Sequence, residues 1–219
     1  MPKIVCLSDT HEFTTEIKVP AGDILVHAGD FTFMGDPKKV KEFNDWLGTL
    51  PHKHKLVCAG NHDVSFEEEP KEVEHLITNA TYLKDASVNI EGLNFYLSPW
   101  QPSFGHGWAF NLDRGRAIRY KWEQIPVNTD VLVTHGPPMG ILDEVERYNT
   151  KTSEYELDHV GCWDLMDIIN TKLKLKAHVF GHLHLNGGNK MEKNGTIFVN
   201  AAVCDERYKP NNPIIVFDL

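Results

Sequence analysis

Asp23-Ile24-Leu25-Val26-His27-Ala28-Gly29-Asp30 is a short apolar run that ends on a carboxylate. Apolar residues follow one another without alternation, which predicts a strand at Ile24–Ala28 covered on both faces. The strand stops at Gly29, and Asp30 follows directly. A carboxylate at the end of a buried strand needs a partner, usually a cation. Other strand ends in the chain also finish in metal-ligating residue types. Asp30 is the one we expect to bridge two metal ions.

Working outward, similar apolar runs predict strands at Ile4–Ser8, Lys55–Ala59, Val131–Thr134, His178–Phe180, Thr196–Asn200 and Ile214–Phe217. Val88–Ile90 and Leu93–Leu97, joined at Glu91-Gly92, read as a hairpin. Helices are expected between some of these. Asp36-Pro37 opens the clearest one, with Asp36 as N-cap and Val40, Phe43, Trp46 and Leu47 on one face. Pro70–Ile77, Arg114–Gln124 and Cys162–Leu173 are the others, the last with Trp163, Met166, Ile169 and Leu173 facing inward. Strands alternating with helices, then a strand-rich second part, predict an α/β fold of mixed sheets flanked by helices. No linker or internal repeat divides residues 1–219, so a single domain is expected. Ser98–Arg116 is too broken for regular structure and reads as a long aromatic loop, a type that tends to carry function.

The 219 residues are 41% apolar and 24% charged, ordinary for a globular protein with a substantial core. A net charge of −9 argues against broad nucleic-acid or anionic-membrane binding. It leaves room for a phosphate ligand, because bound metals reverse the sign of a local site. Cys6, Cys58, Cys162 and Cys204 show no paired spacing. They read as buried free thiols, which fits a cytoplasmic protein. No membrane span and no leader segment is expected.

Five segments follow predicted strands and carry ligand-type residues: Asp9-Thr10-His11, Gly29-Asp30, Gly60-Asn61-His62-Asp63, His135-Gly136 and Gly181-His182-Leu183-His184. In sheets of this kind ligands bind beyond the carboxyl ends of the strands. Glycine lets the backbone turn sharply and approach an ion or phosphate. Each segment alone is commonplace; together, and in this order, they predict a metal centre. His182 and His184 are expected to project to one side of extended backbone. Asp63 reads as the cap of a following turn. His27 reads as a satisfied core histidine, His52 and His54 as solvated, and Arg114 and Arg116 as a solvated helix start.

On these segments, and on Phe43-Asn44-Asp45-Trp46-Leu47-Gly48, Ser98-Pro99-Trp100, Thr134-His135-Gly136-Pro137-Pro138 and Ile215-Val216-Phe217-Asp218-Leu219, the chain resembles the calcineurin-like metallophosphoesterases. It is most similar to the metallophosphoesterase-domain-containing proteins. The resemblance implies a four-layer α/β/β/α sandwich. It implies one ion held by Asp9, His11, Asp30 and His184, and a second by Asp30, Asn61, His135 and His182, with His62 beside them. Some animal members carry Gly at the position of His182; this chain keeps the histidine, so both sites are expected to be complete. The protein Ser/Thr phosphatases of the superfamily carry an Asp-Arg pair after the Gly-Asp, whereas Phe31-Thr32-Phe33 stands here.

A phosphate ester resists hydrolysis because an anion repels an anionic nucleophile. Two cations hold the phosphate oxygens and acidify a water, supplying hydroxide at neutral pH. Carboxylate, imidazole and amide ligands without thiolate suit Mn²⁺, Fe or Zn²⁺ better than Cu(I), and affinity order does not choose among them; Mn²⁺ is the expected ion. His62 is expected to assist the leaving group as the catalytic acid. The resemblance implies a phosphodiesterase acting on small phosphodiesters, nucleotides and cyclic nucleotides among them. A phosphomonoesterase, or a nucleotide-binding protein with little turnover, is the alternative. No stable nucleic-acid partner and no membrane partner is expected.

Overall fold

A computed structural model describes residues 1–150 and 152–219. Two large mixed sheets dominate it. The first has five strands in the order Ile215–Asp218, Lys3–Leu7, Ile24–His27, His54–Val57 and Thr81–Tyr82. All neighbours in it are parallel except Ile215–Asp218, which runs antiparallel to Lys3–Leu7. The second has six strands in the order Asn189–Lys193, Thr196–Asn200, Ala177–Phe180, Val131–Thr134, Leu93–Ser98 and Ala86–Ile90. Its four central strands are parallel and both edge strands are antiparallel.

The period-two geometry of a strand sends successive side chains to opposite faces, and three apolar layers result. Ile4, Cys6, Ile24 and Val26 of the first sheet pack against Phe95, Leu97, Val131, Val133 and Val179 of the second. Their alternates Val5, Leu7 and Leu25 pack outward on Val40, Phe43 and Leu47 of helix Pro37–Thr49. Leu132 and Phe180 pack outward on Ile118 and Trp122 of helix Arg116–Trp122 and on Leu165 and Ile169 of helix Trp163–Thr171. The order of layers is thus α/β/β/α. All four cysteines are buried and free. Among the described residues no helix is long and apolar enough to cross a membrane.

Local signals account for much of this. Asp36 Oδ1 accepts from the Lys38 N–H at 2.8 Å and Pro37 occupies the first turn. Glu91 and Gly92 both have positive φ, 51° and 81°, as a tight hairpin turn requires. Other readings are corrected. Pro70–Ile77 is not one helix but a single α-helical turn at Pro70–Val73 and a 3₁₀ turn at Glu74–Leu76, preceded by another α-helical turn at Ser65–Glu68. Trp163 does not face inward and is 67% exposed, because it stands at the first position of its helix, before the buried stripe. His52 is buried rather than solvated, its Nε2 3.0 Å from the Pro20 carbonyl. The stretch Ser98–Arg116 contains two short parallel strands, Gln101–Pro102 and Asn111–Leu112, between which the aromatic loop projects. The strand pair Glu144–Asn149 and Glu154–His159 is largely exposed and charged and is not among the expected strands, although Glu154-Tyr155-Glu156-Leu157-Asp158 alternates polar and apolar as a strand does.

Candidate metal centre

The carboxyl ends of both sheets meet at one place. An isolated parallel bridge pairs Ser8 with Ala202 across the two sheets. The Asp9 N–H donates to the Gly29 carbonyl at 2.9 Å and the His11 N–H to the Asp30 carbonyl at 3.1 Å. These bonds bring the loops after the first two strands together. Gly60 and Gly181 allow the remaining loops to close in. A Cβ on Gly60 would lie 2.3 Å from Asp30 Oδ1, and one on Gly181 would lie 2.1 Å from Asp9 Oδ2.

All seven expected ligands, and His62, converge here. Ligand-type atoms of Asp9, His11 and His184 lie within 4.8 Å of one another, as do those of Asp30, His135 and His182. A third such group joins His11, Asp30 and His62, so Asp30 belongs to two overlapping groups. His11 Nε2 stands 3.4 Å from His184 Nε2, and His184 Nε2 is 3.2 Å from Asp9 Oδ1. Asn61 Oδ1 is 2.9 Å from His135 Nε2 and 2.8 Å from His182 Nδ1. Asp9, His11, Asp30 and His182 all adopt positive φ, between 40° and 69°. Such conformations are costly outside glycine and concentrate at functional sites. They also explain why His182 and His184 do not sit on extended backbone as expected: His182 is left-handed and His184 begins a 3₁₀ turn. The two imidazoles consequently serve different halves of the cluster.

The donor set fits divalent cations. His135 Nδ1 lies 2.8 Å from the Ala28 carbonyl, and His184 Nδ1 lies 2.9 Å from the Asp205 carbonyl. A carbonyl only accepts, so each Nδ1 carries a proton and each Nε2 is the nitrogen left facing the cluster, free to ligate once it is unprotonated. Backbone carbonyls fix metal-binding histidines in this way. In the neutral ring that ligation requires, the His135 Nε2 lone pair would face the Asn61 oxygen, acceptor against acceptor, an arrangement that a shared cation relieves. Among the described residues, no Lys or Arg forms an ion pair with Asp9 or Asp30, both buried. Buried carboxylates without such a partner need another counter-charge.

Electrostatics within the cluster are strongly coupled. Burial works to raise Asp9 and Asp30, yet both are held below the usual carboxylate range by the imidazoles of His184 and His135 respectively. Burial pulls His135 down, but the Asp30 and Asp9 carboxylates outweigh it and raise it to about 9. Burial prevails at His182 and His11, which fall to about 3 and about 4. Neutral imidazole is the form that ligates a metal.

Asp63 does not cap the following turn with its side chain. Its Oδ2 accepts from the N–H groups of Asp30 and Gly60, both at 2.9 Å. Its Oδ1 accepts from the Thr32 N–H at 3.0 Å and the Thr32 hydroxyl at 2.8 Å. Burial and the Asp30 charge push Asp63 up to about 7, against the bonds that favour its ionised form. The residue clamps the Asp30 loop to the Gly60 loop. Asp63→Ala would leave those buried donors unpaired, each costing about 1–3 kcal/mol. A loss of about 3 kcal/mol or more is expected in urea unfolding. A loss below about 1 kcal/mol would show that the clamp is dispensable.

His62 donates its backbone N–H to Asp30 Oδ1 at 2.8 Å, and its Nδ1 lies 2.9 Å from the Phe33 carbonyl. The Phe33 carbonyl therefore orients the ring. His27, as expected, is a satisfied core histidine, with Nε2 3.0 Å from the Thr10 hydroxyl. Arg114 is not simply solvated: its Nη1 donates to the Gly161 carbonyl at 2.7 Å and its Nη2 to that of Val160. A cleft of about 280 Å³ lies over the cluster, bordered by aromatic side chains. Trp108 packs on His62 at 4.3 Å and Phe104 on His182 at 4.8 Å between ring centroids. Tyr208 packs on His11 at 4.9 Å and on His184 at 5.2 Å. Trp100 turns away instead, its indole donating to Asp85 at 2.9 Å. Sequence reading missed Tyr208. It follows the strand Thr196–Asn200, a sixth strand end whose loop carries none of the five ligand patterns.

Residues 2–186 match the calcineurin-like phosphoesterase family. The chain is 42% identical over 240 residues to human metallophosphoesterase domain-containing protein 1, across 99% of this chain and 71% of that one. A relative from Caenorhabditis elegans is 40% identical over 237 residues, across 99% and 80% of the two chains. Among solved structures, a Thermus thermophilus protein, TT1561, superposes with a TM-score of 0.58 at 12% identity, covering 91% of this chain and 88% of that one. The phosphopantetheinyl hydrolase of Mycobacterium tuberculosis gives 0.57 at 15% identity, covering 94% and 90%. At such identities the two superpositions show the fold alone.

Proposed function

The chain belongs to the calcineurin-like phosphoesterase family, and on that footing we propose that it is a phosphodiesterase using two divalent ions, Mn²⁺ foremost, on small nucleotide-type phosphodiesters, cyclic nucleotides included. The observation that carries this reading is the position of Asp30 in two overlapping groups of ligand atoms. One carboxylate shared between two sets of imidazoles supports a dinuclear centre rather than a single site.

In this reading Asp9, His11, Asp30 and His184 hold one ion, and Asp30, Asn61, His135 and His182 the other. Bound there, the ions would neutralise phosphate charge and make a water nucleophilic at neutral pH. The chain's own residues do the rest. Carbonyls of Ala28 and Asp205 keep the His135 and His184 lone pairs aimed inward. Phe33 commits His62 Nδ1, leaving Nε2 to hand a proton to the departing oxygen. Phe104, Trp108 and Tyr208 narrow the cleft to the size of a small molecule. The acidic rim residues Glu144 and Glu206 disfavour a polyanionic polymer.

The test is turnover of bis-p-nitrophenyl phosphate against p-nitrophenyl phosphate by the Mn²⁺-loaded protein, then of 2′,3′- and 3′,5′-cyclic nucleotides. Preference for the diester is expected, with loss of activity on chelation and recovery on adding Mn²⁺. Preference for the monoester would overturn the substrate class. Nucleotide binding without turnover of any ester would overturn the enzyme reading.

A further inference from the structure

Phe104, Val145, His182 and Leu183 border the cleft over the cluster and also border a second compartment of about 430 Å³. The two spaces adjoin across these side chains but differ in charge. The cleft is bordered by Asp30, Glu144 and Glu206 and, among the described residues, by no Lys or Arg. The second compartment is bordered by Arg114 and Arg147 and, among the described residues, by no carboxylate. On a chain of net charge −9 this is a local reversal of sign.

The two guanidinium groups are differently prepared. Arg114 is fixed by the carbonyls of Val160 and Gly161, which engage its two terminal nitrogens without neutralising its charge. Arg147 pairs with Asp158 at 3.3 Å, but both side chains are about half exposed or more, at 65% and 49%. An exposed pair of this kind is weak and exchanges readily for a better acceptor. Phosphate is that acceptor, since a guanidinium can meet two of its oxygens at once. Phe104, Pro137 and Val160 give the same compartment apolar walls.

We propose that this compartment binds a second anionic group of the substrate, so that the preferred diesters carry a further phosphate on the group next to the reacting one. The proposal rests on the phosphodiesterase reading for its reaction but not for its binding. Two chromogenic esters test it: thymidine 5′-(p-nitrophenyl phosphate) with and without a 3′-phosphate. In the Mn²⁺-loaded native protein the 3′-phosphorylated ester is expected to show a KM lower by about 10–100-fold, the range of a charge-assisted contact. In Arg147→Glu that ratio is expected to collapse towards one. Equal KM values in the native protein, or a ratio unmoved by Arg147→Glu, would overturn the proposal. If neither ester turns over, the phosphodiesterase reading fails by itself. Calorimetric titration of the Mn²⁺-loaded native protein with thymidine 3′,5′-bisphosphate and thymidine 5′-monophosphate then decides: tighter bisphosphate binding supports the compartment's role, and equal binding refutes it.

Discussion

Asp30→Asn is expected to abolish turnover and to reduce the metal content of both halves of the centre together. Losing a group that merely supports a ligand typically costs about 10–100-fold in affinity or activity. A bridging carboxylate is expected to cost more, about 10³-fold or beyond, because it serves both ions. Asparagine is the informative replacement. It keeps the side-chain size at a buried position, tolerates the φ of 56° and can still accept from the His62 N–H. What it removes is the charge. Metal analysis of Mn²⁺-loaded protein should fall from two ions per chain in the native protein to one or none. His135→Ala, by contrast, should spare the ion held by Asp9, His11 and His184. Two tightly bound ions in Asp30→Asn would rule out the bridge.

His62→Ala is expected to lower kcat by about 10²–10⁴-fold, the usual contribution of a positioned acid or base, with metal content unchanged. The loss should depend on the leaving group. A p-nitrophenolate departs readily without a proton, whereas a ribose alkoxide needs one. Comparing bis-p-nitrophenyl phosphate with a cyclic nucleotide therefore separates proton donation from ion binding. His62 also lies in a group of potential ligand atoms with His11 and Asp30. If it were a ligand, both substrates would lose activity equally and the metal content would fall with them.

The fold was legible where the chemistry is local and the burial two-sided. Ile24–Ala28 and Val131–Thr134 are continuous apolar runs because helices and a second sheet cover them, and both appear within a residue of expectation. The strand Asn189–Lys193 is invisible to the same reasoning. It is an exposed edge whose pairing with Thr196–Asn200 comes from backbone geometry at the turn. The candidate ligands were legible because each follows a strand, and parallel strands gather their carboxyl ends. What holds them was not. The bonds of Asp63 to Asp30 and Thr32 join loops about 30 residues apart, and no spacing rule describes them. Neither the left-handed conformation of His182 nor the Tyr208 ring over His11 and His184 leaves a mark in periodicity.

Diffraction from crystals of the Mn²⁺-loaded protein, recorded at the manganese absorption edge, tests the dinuclear centre most directly. Two anomalous peaks about 3.5–4 Å apart, with the Asp30 carboxylate touching both, are the predicted result. One peak alone, or peaks remote from Asp30, would contradict it.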